Sequence, residues 1–559
     1  MKDGAIFPPP PPEEHVGHRN GGEKKRLLPS DVGTSPDRPA VRSASSGCCA
    51  NLGREEDDDV DEGRVPLDDG TVPGRASGAG GPLALPAPRE SRCCHSTWNW
   101  GRFLRILGPG IMVCLADTDG PCLLTAAQSG SQYGYSLVLC QLLLVPILYG
   151  AQELTVRLAV CTKLGTTALI RERYGSFWGW TCCVLHVLMC WLGQTSEFGA
   201  IGQLFSDAFG VDRKITNTVQ FFFLCGIVTM GRLGYRLTEI VGVTIGSFQL
   251  IFVAAMFLSN ADAGMVLEGL AESHLEQSNY EILLAGNIGA VIMPWMLYYQ
   301  QSAVCERGIR RKDLKYERMD TLVGAILAQL VMMSMVIGMG ALRYYGPDDT
   351  RNDLGFGDII AAYAQAFSGN TWEAIQPGAT SLQDVHPAPD PWLSDAARQH
   401  VLAEYAAEIH TWYTPGAYAA AKWVVVLGVC GACTVASMVL TITPVWSVCE
   451  ILDLDRECFL PFRARPLQYC LQFGGLIVAY AISMSTDISG SWFAIFTQTI
   501  NGLLILPVAL FLWLLASSPE VLPVEYRLAG IYKWVLAFVF TVVCSYCVYG
   551  MVQEMIDPV

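Results

Sequence analysis

The chain has 559 residues, 51% of them hydrophobic and 16% charged, with a mean hydropathy of +0.33 and a formal net charge of −15. Apolar runs longer than about 18 residues recur along it, which makes it a polytopic α-helical membrane protein rather than a soluble globular one. Much of the acidic excess lies in the N-terminal tail and the polar loops, so it carries no argument for nucleic acid. The 20 cysteines do not read as a disulfide framework: Cys182, Cys183, Cys190, Cys430 and Cys433 fall inside apolar spans, as small buried hydrophobes do.

Taken in order, residues 1–97 read as a disordered tail. Pro8 to Pro12, an acidic run from Glu55 to Asp59, many Gly and Ser, and almost no aromatic residue before Trp98 leave nothing to build a core from. Within it, Glu23 followed by Leu27 and Leu28 matches an acidic dileucine pattern, which resembles signals read by sorting adaptors of endosomal or vacuolar membranes. Cys93 and Cys94, just before the first span, are candidates for palmitoylation. No cleavable signal peptide is visible, since the first apolar segment begins near residue 103. There is also no N-x-Ser/Thr acceptor to mark a lumenal loop.

Eleven membrane spans follow, near residues 103–129, 135–158, 176–205, 215–233, 237–259, 281–305, 319–342, 417–449, 467–486, 492–516 and 530–552. Lys163, Arg171 and Arg173 lie between spans two and three. Arg307, Arg310, Arg311, Lys312 and Lys315 lie between six and seven, and Arg456, Arg463 and Arg465 between eight and nine. The loop at 260–280 has no Lys or Arg. The positive-inside rule therefore puts the tail and these loops in the cytoplasm, and an odd span count puts the C-terminus opposite. Residues 345–415, carrying Asp348, Asp349, Asp390, Trp392 and Glu404, form a polar extracytoplasmic insertion in the domain 98–559, with 395–410 helical by pattern.

Two spans are interrupted at their centres. In 106–130 the apolar run stops at Asp117-Thr118-Asp119-Gly120-Pro121 and resumes at Cys122. Proline lacks an N–H and glycine weakens helix, so backbone groups are freed beside two carboxylates at one depth. Intramembrane acids are costly and mark function by default. In 281–305, Gly289 and Pro294 flank Met293 at the centre. A pair of interrupted spans, one opening each half, points to a substrate site at the midplane of a transporter built from repeated halves. A plain proline kink is the simpler account of either span alone.

The strings LGPGIMVCLADTDGP, QSGSQYGY (128–135), RLGYRLTEIVG (232–242) and GAVIMPWMLYYQQSA (289–303) resemble the NRAMP divalent-metal transporters over about 105–555. That resemblance implies an all-α membrane protein with the LeuT-like fold: two inverted five-helix repeats plus an eleventh helix, with helices one and six unwound at a metal ion that is cargo, with no cofactor. By the same resemblance the metal ligands are Asp119, the Ala290 carbonyl and Met293, with Gln498 reaching the ion as the site closes. The departures are as informative. The family's Asn is Cys122 here, its helix-six His is Trp295, an extra acid stands at Asp117, and its helix-three Asp/Glu pair corresponds to Gln194 and Glu197. These changes resemble the NRAMP-related magnesium transporter branch. Losing a His and an Asp removes groups that carry protons near neutral pH, and added carboxylate oxygen suits Mg²⁺. Met293 and Cys122 favour Mn²⁺, Fe²⁺ or softer ions instead. The expectation is divalent-cation movement toward the cytoplasm with weak or no proton coupling, at the plasma membrane or an endosomal or vacuolar membrane. The alternatives are a proton-coupled Mn²⁺/Fe²⁺ symporter and a transporter-like metal sensor. No nucleotide loop or catalytic triad is present in the sequence. Arg236 and Glu239 are expected to form a structural ion pair, and the basic loop at 307–318 to fix topology.

Overall fold

The computed structural model describes residues 98–230, 235–342, 354–368, 415–454, 466–485 and 490–556. The tail, with Glu23, Leu27, Leu28, Cys93 and Cys94, lies outside the described residues, and so does 395–410. Every regular element among the described residues is helical. A short α1 (Trp100–Ile106) leads into the first interrupted span, α2 (Pro109–Asp117) and α3 (Gly120–Tyr133). Then come α4 (Val138–Thr162), α5 (Thr166–Tyr174), α6 (Ser176–Phe209) and α7 (Arg213–Met230). The fifth span is compound: α8 (Tyr235–Gly246), a 3₁₀ turn at Ser247–Leu250, and α9 (Ile251–Leu258). After the surface helix α10 (Ala263–Gly269) the second interrupted span is α11 (Ser278–Val291) with α12 (Pro294–Glu306). The chain continues through α13 (Leu314–Leu342), α14 (Phe356–Phe367), α15 (Pro415–Ile451), α16 (Pro466–Ser485), α17 (Gly490–Ser517) and α18 (Gly530–Ile556).

Each of the eleven expected spans has a helical counterpart. By length and hydropathy nine described helices, α11 and α12 counting as one, are long and apolar enough to cross a bilayer, and the bent α2–α3 pair makes ten. The remaining one, Arg213–Met230, opens on two cations and carries Thr, Asn and Gln among its apolar residues. The two halves repeat a pattern. Each opens on a broken helix, and the third span of each, α6 with 34 residues and α15 with 37, is the longest in its half. These two long helices pack against each other, while α13 packs along α2, α3 and α4, and α11 along α17.

Part of the stretch expected as a polar insertion is core. In α14, Phe356, Ile359, Ile360, Ala362 and Tyr363 are fully buried, and the helix lies on α15 and α6. Its start is held by Asp207 at the end of α6, whose Oδ2 accepts the Gly357 N–H at 3.1 Å. A helix of 12 residues is too short to register as a span.

At the end of the molecule carrying the basic loops, α2 is pinned by charge. Gly108 has φ +156°, and a Cβ there would meet Glu239. Asp320 of α13 accepts the Gly108 and Gly110 N–H groups at 3.2 and 2.7 Å, which caps the helix with a carboxylate at its positive end. Arg307 bonds Glu239 and donates to the Arg105 and Ile106 carbonyls at 2.7 and 3.1 Å. The expected Arg236–Glu239 pair is present at 3.5 Å, but Arg307 is the closer partner. The basic loop therefore begins with a residue that ties α12 to both α8 and the end of α1, just ahead of α2.

Candidate cation site

The break between α2 and α3 bends the span by 55°. Thr118 (φ −97°, ψ 57°) and Asp119 (φ −73°, ψ 177°) leave the helix. Two causes act together. Pro121 has no N–H to offer the Asp117 carbonyl four residues earlier, and extended Asp119 no longer serves the Leu115 carbonyl. The Leu115 carbonyl instead takes a bond from Gln249 Nε2 at 2.7 Å, and Thr118 bonds the same amide. Gln249 sits in the 3₁₀ turn of the fifth span, so the irregular backbone of one helix serves the irregular backbone of another. Asp119 is the N-cap of α3, its Oδ1 accepting the Cys122 N–H at 2.9 Å.

The second break is also two residues long. Ile292 and Met293 are non-helical, with Met293 extended at φ −85°, ψ 136°. Pro294 leaves the Ala290 carbonyl without its i+4 donor. That carbonyl receives the Cys122 S–H, at 3.3 Å. Gln498 Nε2 of α17 stands 3.2 Å from the same sulfur, and Asn501 Nδ2 donates to Gln498 Oε1 at 2.9 Å. Cys122 thus joins the first break, the second break and α17. Gly289 makes this approach possible, because a Cβ there would overlap the Gln498 main-chain carbonyl.

Of the six residues expected to hold a metal, Asp119, Cys122, Ala290 and Gln498 form one hydrogen-bonded chain. Asp117, 1% exposed, has both carboxylate oxygens without a hydrogen-bond partner and lies within electrostatic reach of Asp119 and Cys122. Met293 is fully buried at the head of α12. Trp295 is also buried, as packing requires. On α6, Glu197 is fully buried beside Gly120, Cys433 and Asp119, and Gln194 Nε2 bonds Ser437 Oγ at 3.1 Å. Among the described residues no three His, Cys, Asp or Glu side chains gather as a metal cluster. The arrangement instead mixes a carboxylate, an amide, a main-chain carbonyl and sulfur. Sequence reading missed Gln249 and Asn501, since an uncharged amide inside an apolar span gives no sign of its partner.

The sequence profile described as "Natural resistance-associated macrophage protein-like", Nramp, matches residues 110–365, a stretch that contains both breaks. Residues 110–365 are thus similar to the Nramp family. Among curated relatives, the divalent metal cation transporter MntH of Chromohalobacter salexigens is 28% identical over 251 residues, 43% of this chain and 56% of that protein. MntH of Staphylococcus aureus is 28% identical over 283 residues, 48% of this chain and 61% of the relative. This chain therefore spans less than two thirds of the Nramp relatives it matches. The crystal structure of the Eremococcus coleocola manganese transporter superposes with a TM-score of 0.60 at 17% identity, covering 84% of this chain and 90% of that one. At that identity the likeness speaks to fold, and the fold is the all-helical, LeuT-like arrangement expected from the sequence.

Proposed function

We propose that this chain moves divalent metal cations across a membrane by alternating access, toward the side that holds the tail and the basic loops. The observation that carries the reading is the pair of buried acids at the first break, with Asp117 lacking any hydrogen-bond partner. A buried carboxylate without a partner is costly, and a cation passing between the breaks relieves that cost. Asp119, the Ala290 carbonyl and Met293 are the ligands, Gln498 and Cys122 close around them, and Asp117 adds charge. Mg²⁺ and Mn²⁺ are the substrates this mixed set fits best, the first through carboxylate and amide oxygen with retained water, the second also through sulfur. The membrane potential supplies enough driving force, about 4.6 kcal/mol per 100 mV for a divalent ion. Trp295 in place of a titrating side chain supports weak or absent proton coupling.

Glu197 favours a second reading, a proton-coupled Mn²⁺/Fe²⁺ symporter, because it places a spare buried carboxylate beside Asp119. Proteoliposomes with an inside-negative potential separate the two. Mg²⁺ and Mn²⁺ influx is recorded with internal pH, for the native chain and Asp119→Asn. Influx without acidification, lost in the variant, supports the uncoupled reading. Acidification that follows Mn²⁺ supports the symporter, and no flux of either ion removes both.

A further inference from the structure

A second group of donors converges next to the first, from three helices. Cys114 lies one turn before Asp117 on α2, Gln152 is in the second half of α4, and Met296 is in the first turn of α12. All three are fully buried. Gln152 Nε2 stands 3.5 Å from Cys114 Sγ and 3.5 Å from Met296 Sδ, and the Cys114 S–H faces Gln152 Oε1 at 3.5 Å. Asp117 follows Cys114 by three residues, hence on the same face of α2. Neither of its oxygens has a hydrogen-bond partner. An apolar contact between α2, α4 and α12 has no need of this set. Sulfur is a weak acceptor for an amide, so Gln152 gains little from its present bonds.

The geometry points to a second cation site, built from Asp117, Cys114, Gln152 and Met296, for a borderline-soft divalent transition ion. A half-turn of the Gln152 amide about its last side-chain bond exchanges nitrogen for oxygen, which then faces both sulfurs at the observed 3.5 Å. With metal–sulfur and metal–oxygen bonds of about 2.3 and 2.1 Å, that separation closes a sulfur–metal–oxygen angle of roughly 105°, close to tetrahedral. One anionic oxygen, one amide oxygen, a thiolate and a thioether complete a four-coordinate shell of mixed softness. On binding, the Cys114 S–H bond is replaced by sulfur–metal, and its proton leaves to solvent. Asp117 lies within electrostatic reach of both Cys114 and Asp119, so a soft ion released from the first set has a place to lodge nearby. That consequence rests on the cation-transport reading; the existence of the site does not.

The test measures binding, with Cd²⁺ as probe, on the full chain in lipid nanodiscs. Equilibrium dialysis, proton release and the ultraviolet thiolate-to-metal charge-transfer band are read together. Asp119→Asn, which disables the first set, should still bind Cd²⁺ with a thiolate band and release of a proton. Adding Cys114→Ser should abolish the band and weaken binding at least tenfold. Adding Met296→Leu, close in volume to the native side chain, should weaken binding about tenfold, and it decides the matter if the serine variant does not fold. Cd²⁺ binding that vanishes in Asp119→Asn, or that neither second substitution weakens, overturns the proposal. A chain that binds Cd²⁺ in this way yet moves neither Mg²⁺ nor Mn²⁺ keeps the site and loses the transport reading.

Discussion

Asp119 does two jobs in the structure, and two substitutions separate them. Its side chain caps α3 through the Cys122 N–H at 2.9 Å, and its carboxylate supplies charge at the break. Asparagine caps a helix as well as aspartate does, whereas alanine costs about 1 kcal/mol at that position. Removing the charge from a buried site that holds a cation costs more, roughly 3–5 kcal/mol by analogy with a broken buried ion pair, or two to four orders of magnitude in affinity. Asp119→Asn should therefore keep the thermal midpoint of the purified protein and lose Mn²⁺ binding at the break, measured by calorimetric titration. Asp119→Ala should lose both. Native affinity in the asparagine variant would refute the reasoning, because it would leave Asp119 as a helix cap and nothing more.

Three further outcomes follow from packing and charge. Gly289→Ala drives a Cβ into the Gln498 main-chain carbonyl; overpacking of about 1–3 kcal/mol should lower the thermal midpoint and displace α17 with Gln498, so Mn²⁺ binding should weaken in the same variant. Arg307→Ala strands the buried Glu239, whose other cation, Arg236, is half exposed; a loss of roughly 3–5 kcal/mol is expected, and Arg307→Ala with Glu239→Gln should recover part of it in a double-mutant cycle of denaturation free energies. Gln249→Leu removes the shorter of two donors to the Leu115 carbonyl, at 2.7 Å, and leaves the Thr118 hydroxyl at 3.4 Å, a cost of about 1 kcal/mol, seen as faster amide exchange in residues 115–119.

What the sequence made legible is what a chain does to itself. Pro121 and Pro294 delete the donors for the Asp117 and Ala290 carbonyls whatever surrounds them, so both breaks could be placed from local chemistry, and long apolar runs located ten of the helices that answer the expected spans. The partners that complete each break come from elsewhere. Cys122 is joined by Gln498, 376 residues away, and the start of α2 is capped by Asp320, 210 residues from Gly110. Polar residues such as these are visible in an apolar span, but their spacing carries no address.

The fate of the vacated carbonyls shows why that matters for function. Each break must open its helix ladder to form a site, and every carbonyl so opened needs a donor in a medium that offers no water. The Leu115 carbonyl receives the amide of Gln249, a fixed donor, and is committed to structure. The Ala290 carbonyl receives the thiol of Cys122 at 3.3 Å, among the weakest donors a side chain provides. A cation competing for the Ala290 oxygen displaces only that thiol, while one competing for Leu115 would have to break an amide bond. On the cation-transport reading proposed above, the difference in donor strength, rather than the presence of a break, selects which of these two freed carbonyls is left for an ion.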